Sequence, residues 1–65
     1  MTTDEIKEAF KKQIPVVSCD ITYSHISALI YRLRGGKLVL TVELMDKNRN
    51  SVTIADCERV TAATI

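Results

Sequence analysis

Cys19, His25 and Cys57 carry the most reactive side chains of this 65-residue chain, and Asp46, Asn48 and Asn50 its most metal-like oxygen pattern. A structural zinc site needs four ligands, usually with cysteines in close-spaced pairs. Here two distant cysteines and one histidine supply three, and Asp20 or Asp56 would have to complete the set. A Cys–His nucleophile faces a further difficulty, because so small a domain has little wall with which to exclude water and orient a third group. The simpler reading is two reduced, structural cysteines and a histidine at the rim of a strand. The run Asp46-Lys47-Asn48-Arg49-Asn50 begins like a calcium loop. Its sixth position is Ser51 where glycine is needed, its twelfth is Cys57 where a bidentate glutamate is needed, and two cations stand among the ligands. A turn using Asn for positive φ accounts for the same residues.

Two remaining kinds of chemistry are also weak. Gly35-Gly36 lies between two strand-like runs, whereas phosphate-cradling loops lead from a strand into a helix. Asp4, Glu5 and Glu8 fall at a helix start, and Asp56 and Glu58 in a short turn, where capping and solubility explain them. The sequence therefore predicts no enzyme, no cofactor and no metal site. Arg32, Arg34 and Lys37 cluster at a hairpin tip beside Tyr31, with Tyr23 upstream. Cationic grooves with stacked aromatics bind single-stranded nucleic acid, so Tyr23, Arg32, Arg34 and Lys37 form a candidate nucleic-acid surface. The competing explanation is a solvated tip whose charges deter strand-to-strand aggregation.

The elements that must hold these groups are legible in outline. Thr2 and Glu5 have capping-box spacing, acidic residues open the segment and Lys11 and Lys12 close it, which predicts a helix over residues 2–13. Ile6, Ala9 and Phe10 form its apolar stripe, and a helix this short must dock to persist. Pro15 stops it. A short strand is expected over Ile14 to Ser18, then a loop with a brief strand, then three antiparallel strands between Ser27 and Ala55. A helical turn at residues 56–59 and a last strand from Val60 to Ile65 complete the chain, with Val60 and Ala62 inward.

The Gly35-Gly36 pair sets the first register. A two-residue turn pairs Leu33 with Leu38, Tyr31 with Leu40, Leu29 with Val42 and Ser27 with Leu44 on a core face. Ile26, Ile30, Val39 and Met45 then fall on the outer face. A three-residue turn would slip the pairing by one and bring Ile26, Ala28 and Ile30 to the core. The second turn is expected to set Leu44 against Val52 and Val42 against Ile54.

This order predicts a mainly β fold: a small SH3-like barrel or strongly bent antiparallel five-stranded sheet with an N-terminal α-helix. One domain spans residues 1–65, with the barrel over 14–65. The runs Tyr23-Ser24-His25-Ile26-Ser27-Ala28-Leu29-Ile30-Tyr31-Arg32 and Val42-Glu43-Leu44-Met45-Asp46-Lys47-Asn48-Arg49-Asn50-Ser51-Val52-Thr53-Ile54-Ala55 resemble a group of small uncharacterised proteins of Firmicutes and their mobile elements. That resemblance implies a compact β domain in a bacterial cytoplasm and brings no activity with it.

No apolar leader follows Met1, no run approaches the ~20 residues of a membrane span, and the net charge is +1. A cytoplasmic protein without a membrane partner is expected. At 46% hydrophobic residues over 65 positions, both sheet faces carry apolar side chains, and a surplus patch needs a cover. The leading expectation is a non-enzymatic interaction module that binds a protein partner or its own copy through Ile6, Phe10, Ile26, Ile30, Val39 and Met45. The second is a nucleic-acid-binding accessory protein of a phage or mobile element acting through the basic tip.

Overall fold

The computed structural model describes residues 1–63. Helix α1 covers Thr3–Lys12, and the strands are β1 (Val16–Ser18), β2 (Ile21–Tyr23), β3 (His25–Arg34), β4 (Lys37–Met45), β5 (Val52–Asp56) and β6 (Val60–Ala62), with a 3-10 turn at Cys57–Arg59. The predicted mainly β fold with an N-terminal helix is present. The strands form two three-stranded antiparallel sheets, in the orders β2-β1-β6 and β3-β4-β5. There are thus six strands where five were expected, in two small sheets and not a closed barrel. The expected strand at Val60 ends at Ala62, which is exposed, and Thr64 and Ile65 lie outside the described residues.

The capping box forms as the spacing demands. Glu5 N–H donates to Thr2 Oγ1 at 3.2 Å and Thr2 N–H donates to Glu5 Oε1 at 2.9 Å. Those bonds hold the Glu5 carboxyl below its usual pKa, the backbone N–H of Thr2 being the largest cause. A lowered folded-state pKa adds stability above the unfolded value of 4.5 and loses it as pH falls through the folded value. An NMR titration should therefore show the Thr2 amide losing its capped shift on acidification, and Glu5→Gln should abolish that transition. At the other end Gln13 closes the helix in the left-handed region (φ 55°), and its side-chain amide donates to the carbonyls of Phe10 at 2.6 Å and Ile26 at 3.0 Å. The helix is pinned to β3.

Gly35 and Gly36 take φ of +57° and +78°, and β3 and β4 pair with Arg34 opposite Lys37, Leu33 opposite Leu38 and Tyr31 opposite Leu40. The two-residue turn is correct. Either glycine replaced by alanine should cost about 1 kcal/mol in urea unfolding, since a Cβ disfavours positive φ. The expected pairing holds as far as Ala28 opposite Glu43, and there the ladder departs from expectation: a bulge at Ser27 sets Ile26 opposite Leu44. Ser27 Oγ donates to Glu43 O (3.2 Å) and Glu43 Oε1 (2.7 Å), securing the extra residue. The bulge moves Ile26 from the outer face to the core, because one inserted residue reverses the alternation.

The second loop also shifts the pairing. Asp46 accepts from Arg49 N–H at 2.9 Å and, through Oδ2, from Asn48 N–H at 3.1 Å, and Arg49 supplies the positive φ (59°) expected of an Asn. Met45 consequently faces Val52, Leu44 faces Thr53 and Val42 faces Ala55. Val52 and Ile54 therefore turn to the reverse face and stay about half exposed (46% and 49%).

The core is Ile6 and Ala9 of α1 packed with Val16, Tyr23, Ile26, Leu40, Val42, Leu44 and Val60. The helix thus docks within its own chain and on the core face of β3 and β4, not on the Ile30/Val39 strip. The β1–β2 hairpin turns through Cys19 (φ 51°) and Asp20 (φ 63°), both left-handed. A β-carbon at Cys19 is strained there, so Cys19→Gly should raise stability by about 0.5 to 1 kcal/mol in thermal or urea unfolding.

Candidate interaction surfaces on the projecting hairpin

The β3–β4 hairpin outruns the core. Strand β5 pairs only with Thr41 to Met45, so Lys37, Leu38, Val39 and Leu40 have no neighbouring strand on that side. The molecule is accordingly elongated, 36 × 22 × 21 Å. Beyond Leu40 the hairpin is a two-stranded ribbon, an arrangement of marginal stability in water unless something packs against it.

Its core-side face remains apolar to the tip. Cross-strand partners share a face, so Tyr31 with Leu40, and Leu33 with Leu38, continue the row formed by Leu29 and Val42. Leu40 is buried at the edge of the core, whereas Tyr31, Leu38 and Leu33 are 48%, 66% and 77% exposed. A groove of about 700 Å³ runs along this face, floored by Tyr31, Leu38 and Leu40 and walled by Lys7 of the helix and Glu58 of the 3-10 turn. No helix of the described residues is long and apolar enough to cross a membrane.

The reverse face carries the basic residues. Arg32 and Arg34 alternate with Tyr31 and Leu33, and both reach a second groove of about 550 Å³ that Arg59 enters from the 3-10 turn. Ser18 and Thr41, each 4% exposed, lie in its lining, and Thr41 Oγ1 donates to Ile30 O at 3.3 Å. Among the described residues the one ion pair is Lys12 with Glu8 at 3.7 Å, so none of these arginines forms one, and Asp56 is the one acidic residue in the groove's lining.

The residues expected at a protein-binding surface are dispersed. Ile6 and Ile26 are fully buried and belong to the core. Phe10 is half-buried and packs against it. Ile30, Val39 and Met45 do lie half-buried on the reverse face, but Thr41, Glu43 and Arg32 interrupt them. Of the candidate nucleic-acid residues, Arg32, Arg34 and Tyr23 border one groove and Lys37 does not. Tyr23 is 7% exposed, so its ring is core and offers no stacking surface.

Arg59, Leu33 and Leu38 were missed as site residues. Arg59 follows a turn remote in sequence from Arg32, and the two leucines read as core because nothing in their alternation shows where the core ends. Cys19 is exposed and Cys57 half-buried, both as free thiols. His25 Nδ1 lies 3.0 Å from Ser24 Oγ. Among the described residues no three His, Cys, Asp or Glu side chains are placed to hold a metal ion. No family model, curated protein or solved structure matches the chain.

Proposed function

We propose that this chain is a non-enzymatic interaction module that pairs with a second copy of itself along the open edge of β4, joining the apolar arms of two β3–β4 hairpins side by side. The observation that carries this reading is the coincidence of a strand segment with one open edge, Lys37 to Leu40, with the most exposed leucines of the described residues, Leu33 and Leu38. Strand addition at such an edge satisfies backbone N–H and C=O groups and brings side chains of one face into lateral contact across the seam. The resemblance to small proteins of Firmicutes and their mobile elements is compatible with such a module in a bacterial cytoplasm.

Charge and geometry select one register. A two-fold axis normal to the sheet maps each face onto itself, so opposed residues differ by an even number of positions. Centring the pair on Lys37 sets two ammonium groups face to face. Centring it on Val39 drives the partner's strand into Thr41, which Asp56 already occupies. Centring it on Leu38 sets Leu38 against Leu38 and Lys37 against Val39, and leaves only Gly36 opposite Leu40. The alternative edge of β3 is less suitable, since pairs centred on Arg32 or Leu33 place arginine against arginine. With a net charge of +1, copies of the chain do not repel one another strongly.

Sedimentation velocity over a concentration series, at 0.1 and about 1 M salt, tests the reading. A dimer that persists at high salt is expected, because apolar burial and backbone pairing are little screened. A monomer at every accessible concentration would remove it.

A further inference from the structure

The groove on the reverse face is a second site, sharing only Arg34 and Asp56 with the groove along the apolar arm. Arg32 and Arg34 project from alternate positions of one strand, and Arg59 comes from the 3-10 turn to the same concavity. Arg32, Arg34 and Arg59 line it with a single acidic residue, Asp56, and among the described residues none of the three arginines forms an ion pair. Three positive side chains against one negative leave an excess of positive charge around this concavity, which an anion relieves. Guanidinium forks match phosphate oxygens two at a time. The hydroxyls of Ser18 and Thr41 make the interior polar, and Tyr23 is too buried to stack on a base.

We infer that this groove binds adjacent phosphate groups of a polyanion, reading charge and spacing and not bases. Two sources share that chemistry: the phosphodiester backbone of single-stranded nucleic acid and a free inorganic oligophosphate. The inference does not rest on self-association: Arg32 and Arg59 line this groove and not the one along the apolar arm, which Arg34 and Asp56 also border.

Cys19 provides a built-in reporter, being exposed and in the lining of the same groove. The experiment uses the full chain with a fluorophore on Cys19, after Cys57→Ser, titrated with a twelve-residue oligothymidylate and separately with inorganic tripolyphosphate. Binding of either should fall steeply with salt. For the oligonucleotide, three phosphate contacts correspond to a loss of about twentyfold between 50 and 200 mM salt. Arg59→Gln should weaken binding as much as Arg32→Gln does, by about tenfold each, while Arg59→Lys, which keeps the charge and loses the fork, should fall between. Preference for the oligonucleotide over tripolyphosphate assigns the backbone as the source, and the reverse assigns the free anion. Each variant's unfolding midpoint verifies that these exposed changes leave the fold intact. An affinity for both ligands that Arg59→Gln leaves unchanged, or no binding of either at 50 mM salt, would overturn the proposal.

Discussion

Ile26→Ala is expected to cost about 2 to 5 kcal/mol, the range for deleting a fully buried aliphatic side chain that leaves a cavity. A domain of this size has about 3 to 10 kcal/mol of stability in total, so the variant should be partly or wholly unfolded at ambient temperature. The magnitude follows from the bulge. With Ser27 inserted, Ile26 lies opposite Leu44 at zero exposure and in contact with the cluster that Ile6 and Val42 build. Without it, Ile26 would share the reverse face with Ile30 and Val39, half-buried and worth much less. Ile30→Ala is the comparison: it should lose about 1 kcal/mol. Urea unfolding of the pair reads the difference directly, and equal losses would mean that the alternation runs unbroken through Ser27.

The double change Leu33→Ser with Leu38→Ser should have the opposite profile, loosening association while sparing the monomer. Both leucines are mostly exposed in the single chain, so little of their burial contributes to its folding. In the dimer the two copies of Leu38 meet at the axis, with Leu33 one strand further from the seam. Full burial of a leucine is worth about 1.5 to 3 kcal/mol, and partial burial of Leu38 on both copies should sum to about 2 kcal/mol. That is a weakening of dimerisation by about thirtyfold or more. Sedimentation equilibrium measures it, and the thermal midpoint extrapolated to low concentration should move little. A midpoint that collapses with no change in association would place these leucines in the monomer's own core.

These two results also mark where the sequence was readable. The capping box, the two-glycine turn and the helical turn before β6 depend on local residues, and each occurs where those residues stand. The β5 face does not follow from its own alternation: Val52 and Ile54 look like inward residues, but the Asx turn at Asp46 and the left-handed Arg49 fix a loop length that turns them outward. The bulge at Ser27 is likewise held by a hydrogen bond to Glu43, a residue on another strand. Periodicity also carries no information about where a core stops, so Leu33 and Leu38 looked the same as Leu40 and Val42. Arg59 joined Arg32 and Arg34 only through the packing of two sheets.

The most direct test of the proposed assembly is a cross-link at its axis. In the register centred on Leu38, the two copies of that residue face each other with Cα atoms about 4.5 to 5.5 Å apart, within disulfide range. With Cys19→Ser and Cys57→Ser removing the native thiols, Leu38→Cys should form a covalent dimer rapidly under mild oxidation, while Thr61→Cys, exposed on the other sheet, should remain monomeric. Cross-linking of Leu38→Cys no faster than that of Thr61→Cys would contradict pairing along β4.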